Sequence, residues 1–202
     1  MRFHLGAIPE SPDFNPDASW QLVREPSPGA WQLMALPIGV LSAGLFAFLW
    51  FAFTPLVFAR ESVAFLASPA ARIACIVGVI FFHEVIHIFT QPGTGRSPYS
   101  VVVFWPARLL LFAAYTGELT RRRCLIILLA PFMVISVVPL LAAAVAHQVL
   151  GWLAFVSSFN ALLAGGDILS ATFTLGRIPP HGIVRMQGWK TYLRRARMGV
   201  SP

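Results

Sequence analysis

Long apolar runs separated by short polar ones set the frame of the chain. Stretches of about Leu33–Phe58, Pro69–Phe89 and Cys124–Ala146 each reach the roughly 20 apolar residues that a bilayer-spanning helix needs. A fourth, about Leu150–Leu175, is equally apolar but is interrupted by Asn160 and by Gly165, Gly166 and Asp167. The run from Val101 to Tyr115 is too short to span. Its two arms, SVVVFW and LLLFAAYT, flank Trp105-Pro106-Ala107-Arg108. Arms rich in β-branched and aromatic residues around a proline turn predict a β-hairpin. An open strand edge is tolerated at membrane depth only where protein or a cavity covers it. The pattern therefore predicts an all-α polytopic membrane protein of about four transmembrane helices. A short re-entrant or interfacial β-hairpin lies between the second and third.

Composition supports the membrane class. Of 202 residues, 57% are hydrophobic and 11% charged, with a mean hydropathy of +0.72; soluble domains carry about 25% charged residues. The net charge of +7 raises the question of nucleic acid, but the basic residues sit beside apolar spans and no nucleic-acid module is visible. Nucleic acid is excluded as a partner; the lipid bilayer takes its place. With four spans, Arg2, Arg24, Arg96, Arg108, Arg121, Arg122, Arg123, Arg177, Arg185, Lys190, Arg194, Arg195 and Arg197 fall on one side. Arg60 and Arg72 fall on the other, so the 15 basic residues divide 13 to 2. By the positive-inside rule both termini are expected in the cytoplasm. Residues 1–32 are polar and proline-rich with no secretory pattern, and read as a cytosolic lead-in. Residues 33–176 form the membrane-embedded domain, and residues 177–202 a basic cytosolic tail, lying on the membrane surface or solvated. Cys75 and Cys124 fall within or at the edge of apolar runs and read as small buried side chains.

The chemistry concentrates in the second span, which ends FFHEVIHIF. His83 and His87 are four apart, so on a helix both imidazoles project from one face, one turn apart. Two neutral ring nitrogens so placed can bind one zinc ion, with Glu84 as the general base of a hydrolytic site. Only eight residues are acidic, and of these Glu84 and Asp167 fall deep in spanning segments. A charge at the bilayer centre costs about 2.5–3.5 kcal/mol, so polar residues collected there need a reason. A polar contact fastening the helices is the plainer one. Two histidines leave zinc short of ligands. Asp167 is the candidate third, with a helix cap as its alternative; Gly165 and Gly166 beside it allow close backbone approach. His147 is a rival at the opposite membrane face, and His4 and His181 lie in polar flanks. Asn160, two helical turns before Asp167, is placed to bind an extended substrate or an oxyanion, or equally to fasten helices. An unpaired edge along Val101, Val102, Val103 and Phe104 offers a substrate strand addition.

HEVIH in a span, the hairpin-like Ser100–Tyr115 stretch, LLAPF at Leu128–Phe132 and the Asn160…Gly165-Gly166-Asp167 segment occur in that order. This order resembles the short zincin peptidases of bacterial and archaeal cell membranes, a group related to the site-2 intramembrane proteases. The resemblance covers roughly residues 70–175. It implies a minimal core of four helices, His83, His87 and Asp167 as Zn2+ ligands and Glu84 as catalytic base. The expected activity is hydrolysis of peptide bonds in or near the bilayer, on a membrane protein or transmembrane peptide. The alternative is a non-enzymatic metal-binding or scaffold protein with the same fold. Three ligands plus a base favour catalysis, since structural zinc sites close with four.

Overall fold

The computed structural model describes residues 1–53, 68–146 and 151–195. The elements in chain order begin with β1 (Arg2–Leu5), β2 (Gln21–Leu22), α1 (Pro28–Phe53) and α2 (Pro69–Thr90). Strands β3 (Ser100–Trp105), β4 (Leu110–Tyr115) and β5 (Leu119–Thr120) follow. Next come α3 (Arg121–Pro131), a π-helical segment (Phe132–Val137), α4 (Val138–Ala146), α5 (Gly151–Leu163) and α6 (Gly165–Arg177). Strands β6 (Gly182–Gln187) and β7 (Lys190–Arg195) close the series.

Both long N-terminal helices begin at a Ser-Pro pair, and the chemistry of the two residues explains why. Proline at the first helical position has the φ a helix needs and no N–H to leave unbonded. The serine before it accepts a free N–H: Ser27 Oγ from Ala30 and Ser68 Oγ from Ala71. Helix α1 thus starts five residues before the expected Leu33, and the far end of that span at Phe58 lies outside the described residues. So do Arg60, His147, Arg197 and the expected start of the fourth span at Leu150.

Among the described residues, three helical stretches, Pro28–Phe53, Pro69–Thr90 and Arg121–Val145, are long and apolar enough to cross a membrane. The pair Trp152–Leu163 and Gly165–Arg177 adds a fourth if taken as one span, bent by 48°.

The described chain gathers into two compact units, each built from separate stretches. One comprises Gln32–His87 and Leu129–Leu169 and is helical. In it Phe46 and Trp50 of α1 pack with Leu140 and Ala143 of α4 and with Ala154 and Ala161 of α5. Gly39 lies against the Leu162 carbonyl, and a Cβ on Gly165 would stand 2.6 Å from Ala35 O and 2.7 Å from Gly39 N. The break after α5 can approach α1 this closely only because those positions lack side chains.

The other unit comprises Met1–Trp31, Ile88–Leu128 and Ser170–Pro202. It holds two sheets, with strand orders β1-β3-β4 and β2-β7-β6-β5. These sheets correct the expectation of an all-α chain with one hairpin. The expected hairpin forms, with register from Ser100↔Tyr115 to Trp105↔Leu110, yet it is part of a larger sheet, because β1 pairs in parallel with β3. The C-terminal stretch read as a tail folds into the β6–β7 hairpin. Its loop is Gly188-Trp189, with Gly188 at a φ of 58° that glycine adopts without strain.

Candidate metal centre

Helix α2 carries His83 and His87 one turn apart on one face, and both are buried, at 5% exposure. Asp167 lies in the first turn of α6, where the helix N-terminus favours negative charge. Its Oδ2 stands 3.0 Å from His83 Nε2 and 3.3 Å from His87 Nε2, and the two Nε2 atoms are 3.2 Å apart. Three potential ligand atoms therefore form a near-equilateral triangle. Zn–N and Zn–O bonds of about 2.0–2.1 Å in a tetrahedron require ligand separations of about 3.3 Å.

The hydrogen bonding behind His83 shows what that triangle wants. His83 Nδ1 is 2.8 Å from Asn160 Oδ1. Asn160 Nδ2 donates to Pro131 O (3.1 Å) and to Ser136 Oγ (2.9 Å). A carbonyl only accepts, so the amide nitrogen must face Pro131 and the amide oxygen must face His83. The proton between Asn160 and His83 then belongs to Nδ1. The neutral ring consequently presents a bare lone pair on Nε2 to the Asp167 carboxylate and to His87. A proton on His87 Nε2 could bond one of its two neighbours, whereas a cation at the centre satisfies all three contacts at once, so the donor set fits a divalent metal.

Residues 76–182, more than half of the chain, match the model of a family described as "putative zincin peptidase". The chain belongs to this zincin peptidase family. No curated protein and no solved structure matches it. The zincin HExxH pattern is HEVIH here, and the match reaches from two helical turns before it, through α6, to the first residue of β6.

Of the residues singled out in this zincin's sequence, the fold brings His83, His87 and Asp167 together, all three ligand atoms lying within 4.8 Å of one another. Glu84 follows His83 on α2 and is half-buried. His4 and His181 are not members of this group.

Asn160 does not point where an oxyanion or substrate role requires. It is fully buried, and both its N–H groups are already given to Pro131 and Ser136. Nor is the Val101–Phe104 edge open. Val101, Val102, Val103 and Phe104 pair with Arg2–Leu5 on one side and with β4 on the other. Arg2–Leu5 alternates polar and apolar residues over only four positions, too few for a periodic signal, so its pairing could not be anticipated.

Two residues that the sequence left unremarked stand behind Asn160. Ser136 Oγ donates to Ser157 O (2.8 Å), and Ser157 Oγ donates back to Ser136 O (3.0 Å). The π-helical turn that carries Ser136 begins directly after Pro131, whose missing N–H disturbs the regular ladder. The proline in LLAPF was the available signal.

Proposed function

We propose that this chain is a membrane-embedded zinc metallopeptidase that hydrolyses peptide bonds in or near the bilayer. The observation that carries the reading is the convergence of His83 Nε2, His87 Nε2 and Asp167 Oδ2, each 3.0–3.3 Å from the other two, on one buried point. Membership of a zincin family and three to four helices able to span a membrane support it.

His83, His87 and Asp167 would hold the zinc, leaving the open position that catalytic sites keep. When bound, zinc supplies a Lewis acid for the peptide carbonyl and brings the pKa of a coordinated water to about 7. The chain's own residues do the rest. Glu84 accepts the proton of the attacking water and returns it to the leaving nitrogen. The apolar flanks of α2 keep bulk water away from this exchange, which strengthens every charge interaction within it. On this reading the chain works as a reduced site-2 protease would, on a membrane protein or a transmembrane peptide. With basic residues divided 13 to 2 among the 15 present, both termini lie in the cytoplasm and the metal lies toward that leaflet.

Elemental analysis of detergent-purified protein tests the reading. Near-stoichiometric zinc is expected in wild type, with loss in both His83→Ala and Asp167→Ala. Glu84→Gln should keep its zinc while cleavage of a captured substrate falls by about 10²–10⁴-fold. Zinc lost in His83→Ala alone would remove Asp167 from the ligand set. A wild-type protein that takes up no zinc after reconstitution would end the peptidase reading.

A further inference from the structure

Asn160 is buried and held by three hydrogen bonds, and neither ligation nor proton transfer uses it. It is fully buried, as are Ser136 and Ser157. Its three hydrogen bonds reach three separate elements: His83 on α2, Pro131 at the end of α3 and Ser136 in the π-helical segment. Burying a primary amide costs several kcal/mol unless it is bonded. A leucine of similar volume would avoid that cost altogether. The amide's orientation is forced, because Pro131 O can only accept. Ser136 Oγ spends its own proton on Ser157 O and therefore accepts from Asn160. Reversing the amide would set its oxygen against Pro131 O, leaving one possible polarity for the whole chain of bonds.

We infer that Asn160 is a positioning residue for the metal centre: it holds His83 as the Nδ1–H tautomer and fixes the ring so that the Nε2 lone pair faces the metal. This deepens the zinc reading and rests on it. A histidine ligand whose second nitrogen is bonded to a protein acceptor is both oriented and made a better donor. Here the acceptor is an amide rather than a carboxylate, so it fixes the tautomer without adding a second negative charge beside Asp167. The π-helical turn and the reciprocal Ser136–Ser157 bonds are the means by which the amide is itself held.

The test compares Asn160→Leu with Asn160→Asp, which keeps an oxygen facing His83 but loses the N–H groups given to Pro131 and Ser136. The readouts are zinc affinity, the visible spectrum of the cobalt-substituted protein and the side-chain ¹⁵N shifts of the histidines in metal-free protein. Asn160→Leu should weaken zinc binding by about 10–100-fold, alter the cobalt spectrum and give His83 a mixture of tautomers. Asn160→Asp should return affinity to within a few-fold of wild type, with His83 as the Nδ1–H form. Ser136→Ala, which leaves the His83 contact in place, guards against a leucine variant that fails to fold: its affinity should fall less than threefold while its thermal stability drops.

Equal zinc affinity in wild type and Asn160→Leu, or affinities that track thermal stability across all three variants, would overturn the inference and leave the zinc reading standing. Wild-type protein with His83 in the Nε2–H form would overturn it as well. Wild-type protein with the Nδ1–H tautomer but no affinity for zinc would instead overturn the zinc reading, and with it any purpose for the tautomer.

Discussion

Two sets of buried polar side chains, one in each unit, are held on different terms. In the helical unit, His83, Asn160, Ser136 and Ser157 form one connected set in which each donor has a stated acceptor. In the strand-rich unit, Gln91 is also fully buried, yet neither its amide oxygen nor its amide nitrogen has a hydrogen-bond partner among the described residues, and the Ser100 hydroxyl is in the same position. That unit places its strong polar contacts near the surface instead. Arg185 pairs with Asp13 at 2.8 Å and lies over the Phe14 ring; Arg194 pairs with Glu118 at 2.7 Å and lies over Trp20. Exposed pairs of this kind contribute little each. The contrast teaches where polarity serves a function. A buried polar group left unbonded is a cost the fold carries, whereas a closed chain of bonds ending on a histidine is an arrangement with direction.

Substitutions in and around each set test the difference. The largest effect is expected at Gly165, where a methyl group would meet the backbone of Ala35 and Gly39. Gly165→Ala should cost about 3 kcal/mol, because backbone cannot give way as a side-chain tip can. Chemical unfolding in detergent measures it, and a loss under 1 kcal/mol would mean that the approach of α1 to the break is looser than described. Next comes Ser157→Ala, which leaves Ser136 O without its donor and should cost about 1–2 kcal/mol. Gln91→Met is the smallest and has the opposite sign. Replacing an unbonded buried amide by an apolar chain of similar length should raise stability by about 1 kcal/mol. If Gln91→Met destabilises as much as Ser157→Ala, Gln91 and the Asn160–Ser136–Ser157 set do not differ in this way.

The helices were legible because both of their signals are local. An apolar run of sufficient length and a Ser-Pro start are read from neighbouring residues, and HEVIH encodes its own geometry through a four-residue spacing. Asp167 was legible for another reason: scarcity. With eight acidic residues in the chain, a carboxylate in an apolar run stands out. The strands were harder. β1 and β2 have four and two residues, and β1 finds its partner about a hundred positions away, so no short window contains the reason for it. The β6–β7 hairpin did announce itself, in the alternation of GIVRMQ and KTYLRR about a glycine-containing two-residue loop. Its arginines drew attention to charge instead. Asn160 was visible as a polar residue in an apolar helix, but its direction was not. That depended on a π-helical turn 24 to 28 residues earlier in the chain, from Phe132 to Ser136.

The 48° break between α5 and α6 has a mechanical meaning. Asn160 and Asp167 would stand about 10 Å apart along one face of a straight helix. Here they address the two nitrogens of a single imidazole, one from each side of the break. The ring acts as a pin through the joint. Neither half-helix can swing without twisting the pin, and a twisted pin no longer aims its lone pair at the centre of the triangle.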